Sequence, residues 1–162
     1  TKNLPSPKTT APAKAPESVL LNPENIALNA SFEKNRHSLP WPVDRGVVLM
    51  HYGANTLPSG TRIDVTSITI SSDIGAPVKA VFDGEVVYIF DVDGATTVMV
   101  RHGKYFTTYG NLASVSVSKG QKVTVGQRLG KVANNNDGNG ELEFLIMQEN
   151  HEVNPENWLR RK

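Results

Sequence analysis

The stretches "GVVLMHY" (46–52), "EVVYIFDV" (85–92), "TTVMVRH" (96–102) and "KYFTTYG" (104–110) crowd β-branched and aromatic residues into short runs, with Gly, Asp or Asn in the gaps between them. From residue 39 onward no long helical period interrupts these runs. Branched and aromatic side chains fit a pleated surface, so such a chain bonds its backbone between strands rather than within helices. The pattern predicts a mainly β fold, a compact antiparallel sheet or barrel. An internal echo points the same way: "GAPVKAVFDGEVV" (75–87) and "GQKVTVGQRLGKVA" (120–133) share Gly, then Val, then a small apolar residue, then Gly and Val, with one residue inserted in the second copy. Gly-punctuated short strands of this kind suit a barrel or sandwich built from two similar halves.

The ends read differently. "TKNLPSPKTTAPAKAP" holds four prolines among Lys, Thr, Ser and Ala, a composition that cannot bury enough apolar surface to offset ordering. Residues 1–18 are therefore expected to be a Pro-rich linker or tail. Within 19–37, "NPENIALNASFEKNR" offers Asn22 as an N-cap and Pro23 at the first helical position, with Ile26, Ala27 and Ala30 on one face. A short helix over roughly 23–35 follows from that spacing. Residues 38–162 form the β domain, closed by "VNPENWLRRK", a second Asn-Pro-Glu-Asn start with Trp158 and Leu159 expected to pack inward.

The formal charge of +1, from 17 basic and 16 acidic residues, leaves no electrostatic footprint for nucleic acid, and no apolar stretch approaches the length of a membrane span. With no cysteine, disulfides and thiolate zinc ligands are excluded. The sequence starts without Met and without a charged-then-apolar leader, which reads as a mature or truncated chain.

One strand singles itself out as chemistry. In "GNGELEFLIMQ" (138–148) the alternation sets Glu141 and Glu143 side by side on a polar face. Paired carboxylates can move protons or hold a hard cation, with Asn111 as a third oxygen ligand; on a strand face they can also be merely solvated. The histidines His37, His51, His102 and His151 are scattered, and none forms a zinc-ligand pair. In "KYFTTYG", Tyr105, Thr107 and Tyr109 share one face and Phe106 and Thr108 the other, so one set alone can line a groove; the tyrosine set is taken. "NNNDG" (134–138) is a turn by composition, with a calcium loop as its functional reading.

The ordered motifs "GAPVKAVFDGEVV", "VMVRHGKYFTTYGNL", "VSKGQKVTVGQRLGKV", "ELEFLI" and "VNPENWL" resemble the LytM-type, lysostaphin-like zinc endopeptidases of bacterial cell walls, over roughly residues 40–160. "LPWPVDRG" resembles the opening of the domain in EnvC-type murein hydrolase activators, a branch of that family. The resemblance implies an antiparallel β fold with a groove on one face. It also implies a zinc held by a His, an Asp four residues later and the second His of a His-x-His strand, with two further histidines assisting the attacking water. Laid on that pattern, the zinc His falls on Val65, the zinc Asp on Thr69 and the Tyr-x-His-Leu histidine on Asn111. The His-x-His strand reads Glu141-Leu142-Glu143, while His102, in "RHG", matches a position where that family often has a His without zinc, which implies a hydrogen-bonded structural role.

Every one of these positions departs from the pattern, which implies a domain without its metal or catalytic groups, with no cofactor and no enzymatic activity. The resemblance then points to a non-catalytic regulator of the bacterial envelope, periplasmic or extracellular. It would bind and activate a peptidoglycan amidase through a groove of Tyr109, Asn111, Glu141, Glu143 and Tyr105. A peptidoglycan-binding module, or a zinc metalloendopeptidase with another ligand set, are the alternatives.

Overall fold

The computed structural model describes residues 23–135 and 138–161; the tail over 1–18 and the Asn22 cap lie outside the described residues. Helix α1 (Pro23–Lys34) has Pro in its first turn, where an N–H has no helical partner to lose. Glu24 and Lys34 sit at the ends their charges favour. Its bounds match the sequence reading, but the face that packs does not. Ile26, Ala27 and Ala30 are exposed, and Phe32 is the buried residue. Phe32 stacks on His102 and Tyr105 at ring separations of 4.9 and 4.7 Å and lies 5.0 Å from Trp158. One aromatic ring offers far more apolar contact than two alanines, so it decides how the helix docks.

The strands are β1 (Val47–Met50), β2 (Gly53–Thr56), β3 (Arg62–Val65), β4 (Ile68–Ser72), β5 (Pro77–Lys79), β6 (Gly84–Val92), β7 (Ala95–His102), β8 (Tyr105–Val115), β9 (Lys122–Val123), β10 (Arg128–Asn134), β11 (Gly140–Gln148) and β12 (His151–Val153). β2 and β3 form a separate hairpin. The others make one ten-stranded antiparallel sheet in the order β1-β4-β11-β10-β8-β7-β6-β9, with β5 on β10 and β12 on β11.

The sequence echo is a real pseudo-symmetry, and its halves are exchanged. β5 of the first copy pairs with β10 of the second, and β9 of the second pairs with β6 of the first. The turn bonds match one for one. Gly75 N–H donates to Val132 O and Val132 N–H to Ala76 O; Gly120 N–H donates to Val86 O and Val86 N–H to Gln121 O. Gly75 and Gly120 stand at φ of 83° and 89°, a left-handed conformation that favours glycine, which is why the echo keeps Gly there.

β8 is the strand that changes neighbours. Residues 105–110 pair with β11, whereas 112–115 pair with β10. At the handover, Gly110 and Asn111 together oppose Thr97 of β7, a bulge with Asn111 at φ 67°. The face turned away from the groove described below carries the main core, including Ile68, Ile70, Val98, Val100, Tyr109, Leu112, Leu142, Phe144 and Ile146. Leu39 bridges Leu159 in parallel, and Trp158 and Leu159 are buried as expected.

Candidate functional site

The groove opens on the outer face of the sheet. Its floor comes from three adjacent strands: Thr69 of β4 lies opposite Glu143 of β11, and Glu143 lies opposite Gly110 of β8. Thr97 of β7 and the β6–β7 turn (Val92–Ala95) form one wall, and Asn134, Asn135 and Ala133 the other, around a volume of about 520 Å³.

Asn111 holds the fork where β10 and β11 separate. Its Nδ2 donates to the backbone carbonyl of Glu141 at 2.7 Å and to that of Ala133 at 3.3 Å, so the amide stitches both strands to β8. The carboxylates are engaged by uncharged donors. Asn135 Nδ2 donates to Glu141 Oε2, and Ser67 Oγ donates to Glu143 Oε2 at 3.4 Å. Among the described residues, no lysine or arginine lines the groove, while Glu141, Glu143 and Asp93 do, so the cleft is acidic.

Of the residues expected from the sequence, Thr69, Asn111, Glu141 and Glu143 come together here. Val65 does not: it ends β3, opposite Gly53, in the separate hairpin. Tyr105 and Tyr109 are also corrected. The alternation along "KYFTTYG" is as read, but the face is the opposite one, because Tyr109 pairs across from the core residue Phe144 and Thr108 from Leu145. Tyr105 is buried under α1, where its hydroxyl donates to Glu33 Oε2 at 2.8 Å. The physical cause is the bulge. It inserts one residue after Tyr109, so Asn111 reaches the groove although an unbroken strand would give it Tyr109's face. Ser67, Thr97 and the Val92–Ala95 turn were missed, although Asp93-Gly94 between alternating apolar residues is a strong hairpin signal. Two residues of the expected calcium loop, 136 and 137, lie outside the described residues.

On the core side of the sheet a buried polar relay ties β8 to the end of β7 and to residues 81–83. His102, fully buried, sets Nδ1 2.6 Å from the Asp83 carbonyl and Nε2 2.9 Å from Thr107 Oγ1; Thr107 Oγ1 lies 2.9 Å from the Tyr109 hydroxyl, which accepts from Val81 N–H at 3.0 Å. A carbonyl only accepts, so the Nδ1 proton is fixed there. Burial holds the imidazole neutral by lowering its pKa to about 4, against the Asp83 carbonyl, which favours the charged form. Nε2 must then accept from Thr107, and Thr107 from Tyr109. Burial likewise pushes the Tyr109 hydroxyl up to about 12, which keeps it a donor. The expected structural role of His102 is what the geometry provides.

Zinc does not fit the groove. Among the described residues its side chains supply no imidazole or thiolate, and the Asn111 amide turns its N–H groups to carbonyls. Among the described residues no group of three or more His, Cys, Asp or Glu is placed to hold a metal ion.

Comparison with known proteins adds a lineage. The model of peptidase family M23 matches residues 64–155. The chain is 34% identical over 124 residues to the murein hydrolase activator EnvC of Escherichia coli K12, covering 75% of this chain and 29% of that protein. It is 32% identical over 131 residues to the uncharacterized protein NMB1333 of Neisseria meningitidis serogroup B, covering 80% of this chain and 21% of that one. The chain thus spans less than a third of the length of these relatives. Among solved structures, Csd3 of Helicobacter pylori superposes with a TM-score of 0.66 at 19% identity, over 76% of this chain and 35% of that one, a likeness of fold.

Proposed function

The chain belongs to peptidase family M23, and on that premise we propose that it is a non-catalytic regulator of cell-wall hydrolysis in the bacterial envelope. It binds and activates a peptidoglycan amidase through the acidic groove. The observation that carries this reading is the fate of the groove positions. Thr69, Asn111, Glu141 and Glu143, which the motif resemblance sets at positions where the family's zinc chemistry calls for Asp and His, meet in one groove. Asn111 turns its amide N–H groups to backbone carbonyls and has no basic nitrogen, so it does not take a proton from an attacking water as a histidine would. What is left is a concave, acidic surface with no chemistry to preserve, suited to basic and amide-bearing side chains of a protein partner. The likeness to a murein hydrolase activator supports the same assignment.

Charge reversal tests it. Glu141→Lys with Glu143→Lys should reduce stimulation of the amidase of the same envelope at least about tenfold, the range expected when a complementary charge pair becomes repulsive. The folded state should lose only about 1 kcal/mol, since both side chains face the groove. If the folded double variant still stimulates fully, the groove is not the amidase site, and binding to peptidoglycan itself becomes the leading reading.

A further inference from the structure

Beside the groove, β6 carries an open edge and an exposed apolar row that the amidase reading does not use. β9 pairs with β6 only at Gly84 and Glu85, and the Gly120–Gln121 turn bonds Val86 just beyond. Among the described residues, nothing pairs with the outer side of residues 87–92. Val92 and Ala95 close a turn whose two residues, Asp93 and Gly94, both have positive φ, of 51° and 84°. Such a turn is closed by a hydrogen-bonded pair. Alternation back along the ladder then directs the N–H and C=O groups of Ile89 and Asp91 outward.

The side chains along this edge sort by face. Tyr88, Phe90 and Val92 project on the groove side and are 36, 44 and 48% exposed. Asp91 points to the other side and accepts from Thr96 Oγ1 at 3.1 Å. Neither Asp91 nor Asp93 has a cationic partner among the described residues. Lys119 sits 5.2 Å from the Tyr88 ring, so the uncompensated negative charge lies at the Val92 end. Natural sheets guard open edges with Lys, Pro, bulges or very short strands; residues 87–92 contain neither Lys nor Pro, and the register shift at Val87 lies at the far end of the stretch from Ile89 and Asp91.

We propose that the 87–92 edge of β6 takes up an extended segment of a partner protein as an added strand. Unpaired donors and acceptors at a strand's repeat call for another extended backbone. The segment's apolar residues lie over Tyr88, Phe90 and Val92, and its alternate residues are basic, facing Asp91 and Asp93. A second copy of this chain is a poor occupant, since antiparallel self-pairing brings the aspartates of two copies onto one short ladder. Val92 also lines the groove, so the added strand would run along the groove wall, yet nothing here requires the amidase assignment.

The test uses a short end-blocked peptide of alternating valine and lysine, with a scrambled-order peptide of the same composition as control. Hydrogen exchange read by NMR should slow at Ile89 and Asp91 by at least about tenfold at saturation, as expected for newly bonded amides. Asp91→Pro removes an edge N–H without touching the ladder to β7 and should weaken binding at least about tenfold, whereas Asp91→Ala should cost less. Unchanged exchange at Ile89 and Asp91, or equal binding by the scrambled peptide, would overturn the proposal without folded variants. So would wild-type affinity in Asp91→Pro. Protection that appears without peptide and rises with protein concentration would assign the edge to self-association instead.

Discussion

Tyr109 and Asn111 stand two residues apart on one strand, yet Tyr109 is buried in the core and Asn111 lines the groove. In a regular strand they would share a face. The bulge opposite Thr97 separates them, and the same bulge is where β8 passes from β11 to β10. The groove floor and the fork in the sheet are therefore one structural event, held by a single amide.

That amide can be tested through its polarity. Asn111→Asp replaces an N–H donor with an acceptor facing the carbonyls of Glu141 and Ala133, and should cost about 2–3 kcal/mol. Asn111→Gly loses the same bonds but suits φ 67°, and should cost less, about 1 kcal/mol. Denaturant midpoints of the two variants decide the order. If Asp is tolerated as well as Gly, the stitch is not what holds the fork.

Tyr109→Phe keeps the ring and removes the hydroxyl. Val81 N–H then loses its acceptor and Thr107 a donor, both in the interior, so a loss of about 1–3 kcal/mol is expected. Amidase stimulation below the melting range should be unchanged, because Tyr109 is not a groove residue. Loss of stimulation in the folded variant would return the tyrosine to the binding surface.

Acid should weaken the fold through His102. Its pKa is lowered from 6.5 to about 4 on folding, so between these values the unfolded chain binds more protons. The contribution is complete above about pH 6.5 and is lost as pH falls toward 4, by up to about 3 kcal/mol. His102→Gln removes this dependence, so the stability gap between the two proteins should narrow over that interval. A constant gap would mean that His102 does not titrate differently in the two states.

Zinc titration by calorimetry at neutral pH should reveal no tight saturable site, since the groove's described side chains offer zinc neither imidazole nor thiolate and are not placed as a set of ligands. One tight ion per chain would bring back the metalloendopeptidase reading.

Much of this architecture is legible in the amino-acid sequence, for local reasons. Gly75 and Gly120 at the head of the echo mark left-handed turns, β-branched runs mark strands, and Pro23 marks the helix start, since each depends on the residue's own backbone preference. Side-chain direction is less local. The face of Tyr109 depends on a bulge set by three neighbouring strands, although Gly110-Asn111, two residues tolerant of unusual φ, is a fair hint of it. The packing face of α1 depends on where an aromatic cluster of His102, Tyr105 and Trp158 assembles from distant positions. Motif alignment sets Val65 at the position of the family's zinc His; the residue ends β3 opposite Gly53, outside the residues that line the groove, and which side chains a hairpin brings to a groove is not written in a local motif.

The parallel bridge between Leu39 and Leu159 has a mechanical consequence. Leu39 N–H donates to Trp158 O at 3.0 Å, and Arg160 N–H donates to Leu39 O at 2.8 Å. The two segments run in the same direction, so a pull toward residue 23 on one and toward residue 161 on the other drags them past each other along their length. Tension then shears both bonds at once instead of unzipping them in turn, and the clasp yields only when both fail together.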